Sequence, residues 1–204
     1  MKKRIAVLIS GRGSNMEAVV EQARDGVLKD CCRVVVVVSN RCDAPGLAVA
    51  RGIEVEAICV ESSGKTRTEF ERRLLDALDP YRVDYLVLAG FMRILSPLVI
   101  DHYRYRIINI HPADTALYQG AHGYAWAFER RLPATTITVH YVDEGVDTGR
   151  IIAQTDVDLT GTETLEEVEK RGLAVEHRFY SRALRQVFTA ETVGTLGSDS
   201  AVRQ

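Results

Sequence analysis

Ile5-Ala6-Val7-Leu8-Ile9-Ser10-Gly11-Arg12-Gly13-Ser14-Asn15 decides the fold. Its five apolar residues form a run too short for a buried helix and too continuous for a half-exposed strand, so it reads as a strand covered on both faces. Two glycines follow, and then a helical pattern over residues 15–25. The same alternation repeats along the first half of the chain. Short runs rich in β-branched residues lie at 33–38, 55–58, 85–88 and 107–110, separated by helical patterns at 45–51 and 66–79. In the last of these, Phe70, Leu74, Leu75 and Leu78 recur at spacings that build one apolar stripe. Strand and helix in alternation predict an α/β fold: an open, mostly parallel, Rossmann-like sheet flanked by helices.

The second half changes character. Residues 135–142 and 150–157 read as longer, more polar strands joined by the acidic loop Asp143-Glu144-Gly145-Val146-Asp147, which suits an antiparallel extension of the sheet. Thr162 or Thr164 is placed to cap a final helix running to about Phe188. Residues 189–204 are small and polar without periodicity and read as a disordered tail. No internal repeat or linker divides the chain, so residues 1–188 read as a single domain.

Composition narrows the function. The chain has 204 residues, 46% of them hydrophobic, and a formal net charge of −2, which fits one globular domain with a sizeable core. Its 26 basic and 28 acidic residues are interspersed, leaving no stripe for nucleic acid or an anionic membrane. Small molecules are the expected partners, with the chain a monomer or homodimer. Met1-Lys2-Lys3-Arg4 precedes only five apolar residues, too few for a signal peptide or a membrane span. Cys31, Cys32, Cys42 and Cys59 show no C-x-x-C pair and no paired framework, so reduced thiols in a cytoplasmic protein are expected.

Two regions carry candidate chemistry. The first is the Ser10 to Asn15 turn, where glycines allow a sharp bend and free amides at a helix N-terminus suit an anion such as phosphate. A dinucleotide fingerprint is disfavoured: the third glycine would fall at Met16, and the second strand ends in Ser39-Asn40 rather than an acidic residue. A plain strand-to-helix turn capped by Ser14 or Asn15 is the alternative. The second region is Asn109-Ile110-His111-Pro112, with Asp147-Thr148-Gly149 downstream. Strand side chains alternate, so Asn109 and His111 should share a face. Individually, an Asn, a His before Pro and an Asp in a turn all have ordinary structural uses.

Several stretches together resemble the phosphoribosylglycinamide formyltransferase family: Arg4 through Asn15, Ser39-Asn40-Arg41 with Ala44-x-Gly46-Leu47, Leu88 through Pro97, Ile108 through Pro112, and Val146 through Gly149. The resemblance covers nearly the whole chain. It implies an open α/β fold and transfer of a formyl group from 10-formyltetrahydrofolate, the co-substrate, to the primary amine of glycinamide ribonucleotide in purine synthesis. It implies a catalytic set of Asn109, His111 and Asp147. It assigns the ribonucleotide phosphate to Gly11, Gly13, Ser14 and Asn15, and the ribose hydroxyls to Glu176, which could otherwise be a solvated helix face. Met92, Arg93, Ile94 and Leu95 resemble the pterin-side segment, and Arg93 and Arg67 could meet the folate glutamate. No metal is expected, since the five histidines lack metal-ligand spacing.

The chemistry suits these residue types. Attack of an amine on a formyl carbon puts negative charge on the formyl oxygen and positive charge on the nitrogen. An amide and an imidazole can serve the oxygen, while imidazole and carboxylate can carry the proton.

Departures from the family pattern are visible. After His111-Pro112 the chain reads Ala113-Asp114-Thr115-Ala116-Leu117-Tyr118-Gln119-Gly120, which is expected to bring an extra carboxylate, Asp114, near the chemistry. This could alter acceptor preference or mark a subfamily with the same reaction. Arg150 stands where relatives commonly have proline, and Thr136 where they have glycine. His122 keeps a family-like position and is expected at the formyl or pterin pocket. Rival readings are a 10-formyltetrahydrofolate hydrolase and a methionyl-tRNA formyltransferase, each expected to need a further domain, a transferase acting on an amino-sugar nucleotide, and a non-catalytic binding module.

Overall fold

The computed structural model describes residues 1–190. Seven strands form one sheet: β1 (Lys3–Ile9), β2 (Cys32–Ser39), β3 (Ala57–Cys59), β4 (Tyr85–Leu88), β5 (Ile107–His111), β6 (Ala134–Tyr141) and β7 (Ile151–Asp158). Their spatial order is β3-β2-β1-β4-β5-β6-β7. The first five strands pair in parallel, while β6 runs antiparallel to β5 and to β7. The architecture is the mostly parallel α/β sheet with an antiparallel extension that the alternating pattern implies.

Period-two alternation divides the core in two. Ile5, Val7 and Ile9 of β1 pack with Leu184 and Phe188 on one side of the sheet, and Ala6 and Leu8 pack with Phe70 and Leu74 on the other. The helices are α1 (Ser14–Arg24), α2 (Pro45–Gly52), α3 (Arg67–Leu78), α4 (Pro97–His102), α5 (Gly123–Glu129) and α6 (Leu165–Ala190). A reciprocal Thr66 and Glu69 capping box starts α3. The strand order reverses between β1 and β4, so the chain leaves the sheet in opposite directions from their C-terminal ends, the crevice where open α/β folds place ligands.

The structure corrects several local expectations. Neither Ser14 nor Asn15 caps α1; Gly13 does, in the left-handed region at φ 83°, without a side-chain bond. Thr164 caps α6 by accepting from the Glu167 N–H at 3.2 Å, whereas the Thr162 hydroxyl donates to the Leu159 carbonyl. That helix continues past Phe188, so Thr189 and Ala190 belong to it; the rest of the expected tail lies outside the described residues. β3 begins at Ala57 because the Val55 N–H closes the end of α2 on the Ala50 carbonyl. The short helices α4 and α5 have too few turns to show a periodic stripe.

The cysteine reading also changes. Cys42 and Cys59 are joined by a disulfide, with Cα atoms 5.2 Å apart, while Cys31 and Cys32 are free and buried. The cause is sheet register. Ser39 pairs with Cys59, so the loop leaving β2 carries Cys42 over the end of β3, a neighbourhood invisible at a separation of 17 residues. No helix among the described residues is long and apolar enough to cross a membrane.

Candidate active site

The turn after β1 is held from two sides. The Gly46 N–H at the start of α2 donates to the Gly11 carbonyl at 3.0 Å. A Cβ on Gly46 would lie 2.9 Å from that oxygen, so the close approach requires glycine. Ser10 donates to Asn40 Oδ1 at 2.6 Å and accepts from the Met92 N–H at 2.8 Å. One buried hydroxyl thus ties the glycine turn, the end of β2 and the 92–95 segment together. Gly11, Gly13 and Ser14 are partly exposed at this turn, and Asn15 is buried.

Asn109 and His111 project from one face of β5 toward Asp147, which reaches them from the β6 to β7 loop. Asn109 Nδ2 lies 3.3 Å from Asp147 Oδ1, and His111 Nδ1 lies 3.4 Å from Asp147 Oδ2. The Gly120 N–H donates to the same Oδ2 at 2.9 Å. Asp147 adopts a left-handed φ of 53°, an uncommon conformation for a residue other than glycine. Tight packing helps hold that loop: a Cβ on Gly149 would come within 1.8 Å of the Tyr141 carbonyl oxygen.

A second imidazole, not identified in the sequence, completes the cluster. His140 is paired directly across from Asn109 in the antiparallel ladder and is buried. Its Nδ1 lies 2.8 Å from the Tyr141 carbonyl, which can only accept, so the proton of the neutral ring belongs on Nδ1. The Nε2 lone pair then faces Asn109 Nδ2 at 3.2 Å, with Asp147 Oδ1 at 3.4 Å. The signal for His140 was the antiparallel register between β5 and β6, which strand periodicity alone does not supply.

The electrostatics oppose one another. Burial pushes the His111 imidazole below its ordinary value, against the pull of the Asp147 carboxylate and the Tyr118 carbonyl. Burial would raise Asp147, but the Gly120 N–H and the neighbouring His111 hold its carboxyl below the ordinary value.

These residues open on a cavity of about 370 Å³, lined by Asn109, His111, His140 and Asp147 together with Met92, Arg93, Ile94 and Leu95. Its size suits a small-molecule site. Met92 and Ile94 are exposed although apolar, at 68% and 49%. The segment is anchored behind by Glu71, which is fully buried and accepts from the Ser96 N–H at 2.7 Å and from the Ser96 hydroxyl. The Arg93 guanidinium lies over the Phe70 ring, 5.5 Å from its centroid. Arg67, the exposed first residue of α3, is not among the lining residues. His122 is exposed, lines the cavity and starts α5 with φ 69°.

Glu176 is not a solvated helix face. Only 4% exposed, it accepts from Asn15 Nδ2 and from the Tyr124 hydroxyl. These three do not line the cavity. Asp114, expected near the chemistry, is turned elsewhere: its carboxylate accepts from the Ala116 N–H at 2.9 Å and lies 3.5 Å from Gln154 Nε2. It braces its own turn and is not among the lining residues. Among the described residues, one group of three metal-ligand side chains clusters, Cys42, Cys59 and Glu61, and its two sulfurs are bonded to each other.

Comparison with known proteins bears on this geometry. A family model described as formyl transferase matches residues 3–184. Phosphoribosylglycinamide formyltransferase of Escherichia coli K12 is 36% identical over 178 residues, covering 86% of this chain and 82% of that protein. The trifunctional purine biosynthetic protein adenosine-3 of Drosophila pseudoobscura pseudoobscura is 38% identical over 184 residues; the match covers 90% of this chain but only 14% of that much longer protein. The solved structure of glycinamide ribonucleotide transformylase 1 from Symbiobacterium toebii superposes with a TM-score of 0.87 at 37% identity, covering 93% of this chain and 89% of that one. With the match extending from β1 into α6, the chain belongs to the formyl transferase family.

Proposed function

We propose that this chain transfers the formyl group of 10-formyltetrahydrofolate to the primary amine of glycinamide ribonucleotide, giving formylglycinamide ribonucleotide and tetrahydrofolate. The observation that carries the reading is the meeting of Asn109, His111 and Asp147 on one cavity wall in a chain of this family.

The pterin lies against the backbone of Met92, Arg93, Ile94 and Leu95, and the glycine turn with Ser14 and the backbone N–H of Asn15 takes the acceptor phosphate. Glu176 meets the ribose. Arg93 and Arg67 meet the folate glutamate, Arg67 from outside the cavity wall. As the amine attacks, an Asn109 N–H swings from its long contact with Asp147 to the formyl oxygen, which gains charge and becomes the stronger acceptor. One preorganised donor of this kind can lower a barrier by about 3 kcal/mol.

The attacking nitrogen sheds a proton to the coupled Asp147 and His111 pair, directly or through a water. The pair then returns a proton to the departing folate nitrogen. Direct amine attack requires no covalent enzyme intermediate. We assign the reaction to one domain over residues 1–188.

The test is to follow deformylation of 10-formyltetrahydrofolate with and without glycinamide ribonucleotide. Amine-dependent turnover with matching formylated product is expected. Equal turnover without the amine would assign a hydrolase, and turnover only with an amino-sugar nucleotide would reassign the acceptor.

A further inference from the structure

Glu176 takes hydrogen bonds from two other helices. At the start of α5, the Tyr124 hydroxyl donates to Oε1, and near the start of α1, Asn15 Nδ2 donates to Oε2. The other Asn15 side-chain atom, Oδ1, is buried without a partner. The phenol is placed by packing at both ends. A Cβ on Gly172 of α6 would lie 2.1 Å from the Tyr124 ring, so the ring occupies the space that a side chain there would fill. A Cβ on the preceding Gly123 would lie 2.8 Å from the carbonyl oxygen of Pro112, next to His111. Burial and the neighbouring Glu176 raise the Tyr124 phenol far above its ordinary value, so it remains a donor. Glu176 also opposes the downward shift of His111, so the cluster is within electrostatic reach of the imidazole.

We propose that Tyr124 is a positioning residue of the acceptor subsite, its hydroxyl fixing the Glu176 carboxylate so that the remaining lone pairs, with the unpartnered Asn15 oxygen, receive the hydroxyls of a ribose. This rests on the assignment of Glu176 to the ribose made above. The unused atoms of Glu176 and Asn15 Oδ1 are all acceptors, so the group that fits them must donate; a vicinal diol does, and a phosphate oxygen does not. A carboxylate fixed by a phenol also loses less side-chain freedom when the sugar binds.

Tyr124→Phe keeps the ring against Gly172 and removes only the hydroxyl. With 10-formyltetrahydrofolate saturating, the KM for glycinamide ribonucleotide is expected to rise about tenfold, with kcat and the folate KM within about twofold. In a Glu176→Gln background the same change is expected to add no more than about twofold, because the group it positions has already been altered. A further tenfold rise there would overturn action through Glu176. So would an unchanged KM in a variant with wild-type circular dichroism and melting temperature, or equal losses in kcat and folate KM. The same cycle read by calorimetry with ribose 5-phosphate needs no turnover. Wild-type protein inactive toward glycinamide ribonucleotide therefore counts against the proposed reaction, whereas normal turnover with an additive cycle counts against Tyr124 alone.

Discussion

His111 presents its Nδ1 to Asp147 Oδ2 at 3.4 Å, while its Nε2 lies 3.0 Å from the Tyr118 carbonyl. Both ring nitrogens thus face oxygen acceptors, and a neutral imidazole can donate to only one of them. The protonated ring would satisfy both, yet burial drives its pKa down. A ring that rests neutral with both contacts of its charged form in place suits a group that gains a proton only during turnover.

Asp147→Asn tests that arrangement through pH. His111 sits below its ordinary value of 6.5, so in the wild type kcat should fall on the acid side below that value as the ring becomes protonated before reaction. The carboxylate raises the ring against burial; removing it should move the acid limb to still lower pH while kcat falls about 10²- to 10⁴-fold. Profiles of kcat between about pH 5 and 8 decide it, and a limb that stayed in place or moved upward would count against the pairing.

Asn109 and His140 form the second linked pair. The imidazole faces the Asn109 amide at 3.2 Å and aims its N–H groups. Asn109→Ala should lower kcat by about 10²- to 10³-fold, the usual cost of losing an oxyanion donor. His140→Phe preserves ring bulk but removes both nitrogens, and about a tenfold loss in kcat with both KM values unchanged is expected. Combining the two changes should cost little more than Asn109→Ala alone; multiplied losses would show that His140 acts independently.

Much of the fold was legible because its strands are covered on both faces, so residues 5–9 of β1 and the whole of β4 appear as unbroken apolar runs. Asn109 and His111 were legible together because strand alternation fixes which residues share a face. What packing decides was harder to read. The burial of Glu176 depends on Tyr124 and Asn15 arriving from α5 and α1, and the disulfide depends on parallel register between β2 and β3. Asp114 shows the converse error: proximity to His111 in sequence suggested chemistry, but the local amide of Ala116 captures its carboxylate.

Ser96→Ala probes the anchor behind the 92–95 segment. Glu71 is fully buried, and its two oxygens receive the Ser96 N–H and hydroxyl. Removing the hydroxyl leaves one carboxylate oxygen short of a donor, which should cost about 1–3 kcal/mol in urea denaturation. Because Met92 through Leu95 lead directly into this anchor, the KM for 10-formyltetrahydrofolate should rise while that for the ribonucleotide stays put. Equal rises in both would mean a general loosening rather than a local one.

The disulfide between Cys42 and Cys59 should be measurable as stability. It closes a loop with a sequence separation of 17, and restricting the unfolded chain over that length contributes about 3 kcal/mol. Urea denaturation with dithiothreitol should therefore give a lower midpoint than without it, and the Cys42→Ser, Cys59→Ser double variant should match the reduced protein under both conditions. The chain has four cysteines, of which Cys31 and Cys32 are free, so thiol titration of the unfolded, unreduced protein should count two. Four reactive thiols, or midpoints indifferent to reductant, would reject the bond. Activity offers a separate readout. The bridged loop lies beside Asn40, which Ser10 connects to the Met92 amide, but those hydrogen bonds do not involve sulfur. Reduction should consequently lower stability while leaving turnover near wild type at 25 °C, and a matching collapse of activity would mean that the disulfide itself holds the 92–95 segment in place.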